Sequence, residues 1–140
     1  GKSFDRNLAM GACSLFKCHI WYLNHISAIC DSMSKGFINE GIMVEALNSM
    51  ISLHEPRFMN MVNDLTDHQM SLMKAVLDGV VKFSASDIIE KYRLNSSANV
   101  RRVKDALRKK EILTFNEKEE PVILDPLFEY WLSKYYFERQ

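Results

Sequence analysis

Apolar side chains recur at three- and four-residue steps over most of this chain, the spacing of one face of an α-helix. Over residues 8–30 they are too dense for the alternation of a strand, and neither a proline nor a glycine pair after Gly11 interrupts them. One or two helices are expected there, with Ile20, Leu23, His25, Ile26 and Ile29 as a buried stripe. After the Ser-Met-Ser-Lys-Gly turn at 32–36, Asn39 is placed to cap a helix reaching to about His54. Its apolar face is Ile42, Val44, Ala46, Leu47, Met50, Ile51 and Leu53. Pro56 is expected to end that helix or begin the next, a short one over 57–64 with Phe58, Met61 and Val62 turned inward.

A new unit opens at Thr66. Thr66 and Gln69 have the T-x-x-Q spacing in which cap and third helical residue satisfy each other's free backbone donors. The helix that follows is predicted over 67–77, its core side being Met70, Leu72, Met73, Val76 and Leu77, and Gly79 suits the left-handed residue beyond its end. Ser84 or Ser86 is expected to cap a second helix carrying Ile88, Ile89 and Tyr92. Leu94 and Asn95 form the turn, and Ser96 or Ser97 caps a third helix to about Lys110, buried along Val100, Val103, Ala106 and Leu107. Residues 112–115 and 122–124, separated by a polar tip and Pro121, read as a short β-hairpin. Pro126 stands at the first position of a final aromatic helix reaching about Phe137. Three helices and then a hairpin is the order of a winged helix, the second and third forming a helix-turn-helix pair and the hairpin the wing. The expected fold is therefore mainly α: a helical subdomain over 1–64, then a winged helix-turn-helix domain over 65–140.

Charge changes this picture locally rather than globally. Eighteen Lys and Arg balance eighteen Asp and Glu, so no long-range attraction to a polyanion is expected. Yet between Lys91 and Lys110 eight cations face one acid, Asp105, and compensating acids follow at Glu111, Glu117, Glu119, Glu120 and Asp125. No run of about 18 apolar residues is present. With an odd number of cysteines, three, and no disulfide-like spacing, the chain suits a reducing, cytoplasmic setting and no membrane partner is expected.

The third helix of the domain is where chemistry is expected. Ser97, Asn99, Arg101, Arg102, Lys104 and Arg108 occupy faces that Val100, Val103 and Leu107 do not bury, as in a helix that lies in the major groove of DNA. The competing reading is a solvated helix whose Lys109 and Lys110 complement the negative end of its dipole. Cys13, Cys18, His19, His25 and Cys30 do not have the spacing of a structural zinc site, so no metal is expected. Gly1-Lys2-Ser3 copies only the tail of a phosphate-binding loop, without its upstream glycine or strand. No nucleophile elbow, H-E-x-x-H pair or other catalytic constellation occurs, and the chain alone is expected not to be an enzyme. The final aromatic cluster, Phe128, Tyr130, Trp131, Tyr135, Tyr136 and Phe137, reads as helix packing, with any residual exposed patch marking a docking surface.

The run LTDHQMSLMKAVLDGV, SASDIIEKYRLNSSANVRRVKDALRKKEILTF and PVILDPLFEYWL, covering 65–132, resembles the C-terminal winged helix of prokaryotic AAA-type P-loop ATPases, the archaeal-type group related to the STAND ATPases. The stretch CHIWYLNHISAI with INEGIMVEALNSMISLHEPRF is similar to the helical lid that follows the nucleotide domain in that family. The resemblance implies a non-catalytic regulatory fragment. Its partner is an N-terminal ATPase domain in cis that binds ATP and magnesium, and its winged helix contacts DNA or protein. It also implies that His19, Trp21 and Tyr22 lie close to the nucleotide, although Ile20 stands where the family usually has proline. The fragment itself needs no cofactor. The alternative is a freestanding winged-helix transcriptional regulator that binds DNA.

Overall fold

A computed structural model describes residues 3–4, 11, 20–33, 37–38 and 40–138. The chain divides into two compact units, Gly1–Phe58 and Met59–Gln140. Among the described residues no helix is long and apolar enough to cross a membrane.

In the first unit, β1 (Ser3–Phe4) pairs in parallel with β2 (Phe37–Ile38), Ser3 opposite Phe37 and Phe4 opposite Ile38. Two strands of two residues leave no alternation to read, and the sequence pattern does not announce them. Helix α1 (Ile20–Met33) buries Tyr22, Ile26 and Cys30, one residue per turn. The expected stripe is therefore rotated: Leu23, His25 and Ile29 are only half-buried. Tyr22 can turn inward because its hydroxyl accepts a hydrogen bond from Arg57 Nη2 at 3.2 Å. The part of the expected helical stretch before Ile20, other than Gly11, and the cap at Asn39 lie outside the described residues.

Helix α2 (Glu40–Asn63) runs through Pro56, where the sequence suggests a break. Proline in a helix interior removes the amide that would bond the carbonyl four residues back. Here that carbonyl belongs to Ser52, and both Ser52 and Pro56 are exposed, so water can take the place of the missing amide. Residues 57–64 are thus not a separate helix: α2 continues through Pro56 to Asn63. Ala46, Met50, Ile51, Phe58 and Val62 are buried, whereas Val44 and Leu53, both assigned to the apolar face, are exposed.

In the second unit, side chains cap the N-termini of three helices. Thr66 caps α3 (Asp67–Leu77) with a complete capping box: its hydroxyl accepts from the Gln69 amide at 3.2 Å, and Gln69 Oε1 accepts from the Thr66 amide at 3.1 Å. Gly79 follows at φ +91°, the conformation that favours glycine. The buried side is Gln69, Leu72, Met73 and Ala75, while the expected Met70, Val76 and Leu77 are half-buried. Gln69 replaces an apolar residue there because its oxygen also accepts from Lys110 Nζ at 3.1 Å, which makes its burial tolerable.

Helix α4 (Ser86–Lys91) has Ala85 at its cap position with no side-chain bond, so neither Ser84 nor Ser86 caps it. Phe83, just before this helix, is buried. Ser96 caps α5 (Ser97–Lys109), its hydroxyl accepting from the Asn99 amide at 3.2 Å. Strands β3 (Leu113–Phe115) and β4 (Pro121–Ile123) pair antiparallel, with Leu113 opposite Ile123, both buried, and Phe115 opposite Pro121. The tip is tied by Asn116, whose Oδ1 accepts from the Lys118 and Glu120 amides at 2.9 Å each. Asp125 caps α6 (Pro126–Trp131), with Pro126 at the permitted first position. A π-helical turn, Leu132–Tyr136, follows where α-helix is expected. Its wider pitch lines up side chains five apart, and the ring pairs Tyr130–Tyr135 and Trp131–Tyr136 have that spacing, at 6.4 and 5.7 Å. Leu72, Leu94, Leu107, Leu113, Ile123, Leu127 and Phe128 are fully enclosed in this unit.

Candidate nucleic-acid interface

The turn between α4 and α5 uses the left-handed region of backbone conformation twice. Arg93 and Asn95 adopt φ +53° and +77°, and the fully buried Leu94 between them anchors the turn to the core. The side-chain amide of Asn99 donates to the Leu94 carbonyl at 2.7 Å and lies 3.2 Å from His68 Nδ1, tying the start of α5 both to the turn and to α3. These bonds fix the angle at which α5 leaves the turn.

Helix α5 is divided lengthwise. Val100, Val103 and Leu107 are buried, while Ser97, Arg101, Arg102, Asp105 and Arg108 are exposed and Lys104 is half-buried. Alongside it opens a groove of about 530 Å³, lined among others by Ser84, Ser97, Arg101, Lys104, Asp105 and Arg108. At the root of the wing, the Phe115 ring has Lys104 Nζ 4.6 Å from its centroid and the Arg108 guanidinium carbon at 4.9 Å; Lys104 Nζ is also 5.9 Å from the Phe83 ring. The exposed face therefore presents four cations and one acid beside a recess with two hydroxyls. That is a surface suited to phosphate oxygens.

Not every cation of this region belongs to the surface. Lys110 turns back, donating to the Asp64 carbonyl at 2.7 Å and Gln69 Oε1 at 3.1 Å with the Asp64 carboxylate at 3.4 Å. The wing tip carries exposed Glu117 and Glu119 around Lys118. A polyanion is repelled there, so the attractive surface is α5 and the root of the wing.

Phe115, Phe83 and Ser84 do not stand out as site residues in the sequence, because each meets α5 through tertiary contact. The aromatic at the end of β3, placed so as to face a helix with cations four apart, is the only signal that points to Phe115. Of the residues expected near a nucleotide, His19 lies outside the described residues. Tyr22 is buried, and Trp21 is 51% exposed, with ring centroids of His25 and His54 at 5.1 and 5.5 Å. Of the cysteines and histidines weighed for zinc, Cys13 and Cys18 lie outside the described residues and Cys30 is buried, where desolvation raises its thiol pKa.

At the base of the helix-turn-helix, two ionisable groups meet the carboxylate of Asp78. Tyr92 Oη donates to Asp78 Oδ2 at 2.7 Å, and Lys74 Nζ lies 3.1 Å from Asp78 Oδ1. Burial, reinforced by the bond to Asp78, pushes the Tyr92 hydroxyl up to about 12, and the Tyr92 hydroxyl in turn, with Lys74, holds Asp78 below the usual carboxylate value. A folded-state pKa above the unfolded value of about 10 means that the folded chain retains the proton longer. This stabilisation is complete below pH 10 and is lost as pH rises through about 12. The urea midpoint of the wild type is expected to fall across that window, and by less in Tyr92→Phe, which has no proton to lose. For Asp78 the sign is reversed: its contribution is present above the ordinary carboxylate range and is lost as pH falls through its depressed value.

Comparison with known families agrees with this architecture. The model of a family described as a probable winged helix domain matches residues 56–134, more than half of the chain. No curated protein and no solved structure gives a match. The match takes in α3, α4, α5 and the two-stranded wing, and the chain belongs to the family of probable winged helix domains.

Proposed function

We propose that the winged helix binds double-stranded DNA through the exposed face of α5, with Arg101, Arg102, Lys104 and Arg108 directed at phosphates and base edges. The observation that carries this reading is the division of α5: its cations stay on the solvent side, beside a groove, while its apolar residues are consumed by the core. With no net charge on the chain, attraction depends on this face alone and not on a field around the whole molecule. The test is fluorescence anisotropy of a labelled duplex titrated with the chain at several salt concentrations. Affinity is expected to fall steeply as salt rises, by a slope of about 0.9 per phosphate neutralised. Absence of binding at low salt overturns the reading.

A second proposal concerns the chain's setting. The resemblance of 65–132 to the C-terminal winged helix of AAA-type P-loop ATPases, with a lid-like segment before it, supports a regulatory part of a larger ATPase. In that setting the lid couples nucleotide state to the winged helix, and His19, Trp21 and Tyr22 lie near a nucleotide held with magnesium by an N-terminal domain in cis. The half-exposed Trp21 and the 64% exposed Leu53 give the first unit apolar surface that such a domain would cover. In both readings the chain binds and does not catalyse. An upstream reading frame encoding G-x-x-x-x-G-K-[ST] supports the second proposal, and a native start codon at the beginning of this sequence overturns it, leaving the freestanding DNA-binding regulator.

A further inference from the structure

The geometry points to Phe115 as a positioning residue for nucleic-acid binding: its ring aligns Lys104 and Arg108 as a spaced pair without neutralising either. This inference rests on the reading of α5 as the DNA-facing helix. Lys104 and Arg108 are four residues apart on one face of α5, where like charges repel. Both charged groups lie against the Phe115 ring, at 4.6 and 4.9 Å from its centroid, and Lys104 has the Phe83 ring at 5.9 Å as a further support. The negative face of an aromatic ring attracts a cation but takes none of its hydrogen-bond donors. An ammonium or guanidinium resting on a ring therefore keeps its charge and its N–H groups for a phosphate, whereas a carboxylate partner would occupy both.

Among the described residues, no carboxylate competes for them: neither Lys104 nor Arg108 forms an ion pair. The ring itself is fixed by the wing: Phe115 lies opposite Pro121 in the ladder, and the next residue, Asn116, donates its amide to the Glu120 carbonyl at 3.0 Å. The wing thus acts at its root, by placing an aromatic face under two long side chains. This removes part of the rotamer freedom that they would otherwise lose on binding.

The test is a set of anisotropy titrations on duplex DNA across a salt series, with the full chain carrying Phe115→Leu, Phe115→Tyr, or pentafluorophenylalanine at position 115. The last reverses the ring's electrostatic face at nearly constant shape, and keeps the test decisive if Phe115→Leu does not fold. Phe115→Leu and the fluorinated ring are expected to bind about threefold to tenfold more weakly. Phe115→Tyr, which keeps the ring face, binds as the wild type does. In a Lys104→Ala, Arg108→Ala background the Phe115 substitutions change affinity no further, a coupling that a purely structural role does not produce. Wild-type affinity with the fluorinated ring, or an equal loss in the background lacking both cations, overturns the role of Phe115. Failure of the wild type itself to bind, or binding indifferent to Arg101 and Arg102, overturns the DNA-facing assignment of α5 instead.

Discussion

Leu107→Ala is expected to lower the unfolding free energy of the winged helix by about 2–5 kcal/mol, the range for removing an enclosed leucine when its surroundings relax only partly. Leu107 is fully buried on the core side of α5, and its carbonyl accepts the Ile112 amide at 3.1 Å, where the chain leaves the helix for the wing. A cavity at that point loosens helix and hairpin together. Domains of this size have about 5–15 kcal/mol in total, so the substitution removes a large part of the margin. In urea the midpoint should fall while the slope of the transition stays as in the wild type. Arg108→Ala, one residue on and exposed, is expected to move stability by no more than about 1 kcal/mol, the worth of its contact with the Phe115 ring. A small effect of Leu107→Ala would mean that α5 is not seated on the core as described, and the separation of its two faces would fail with it.

That contrast between neighbours also shows what the amino-acid order alone makes legible. Val100, Val103 and Leu107 follow the helical period, so the buried side of α5, and hence its exposed side, can be read directly from spacing. The Thr66–Gln69 box and the Ser96 cap are equally readable, because each is a bond between residues three apart. What escapes such reading is set by contacts between distant residues. Gln69 is buried because Lys110, 41 residues on, satisfies it. The amide of Asn99 is engaged by Leu94 and His68, and Phe115 takes its role from the side chains of another element. Pro56 misleads for a related reason. Proline in a helix interior carries a cost, and whether the rest of the fold offsets it is not a property of the local sequence.

The larger functional effect is expected from removing the guanidinium groups of Arg101 and Arg102 together. They lie on adjacent stripes of α5, since successive residues are separated by about 100° around the axis. Arg101 shares its stripe with Lys104 and Arg108 along the groove, which Arg102 does not line, and Asp105 lies within one turn of both arginines. Each phosphate contact adds about 0.9 to the salt slope, which at 0.1 M salt corresponds to about eightfold in affinity, so losing two contacts costs about sixtyfold. Arg101→Ala alone is expected to be the more damaging of the two singles, and neither should shift the urea midpoint appreciably, because both side chains are exposed. If Arg101 meets a base edge instead of a phosphate, the double substitution flattens the salt slope by only about one unit and the affinity loss depends on DNA sequence. If slope and affinity both remain at wild-type values, the cations of α5 do not face DNA, and its exposed face is the solvated surface that its dipole-complementing lysines alone would suggest.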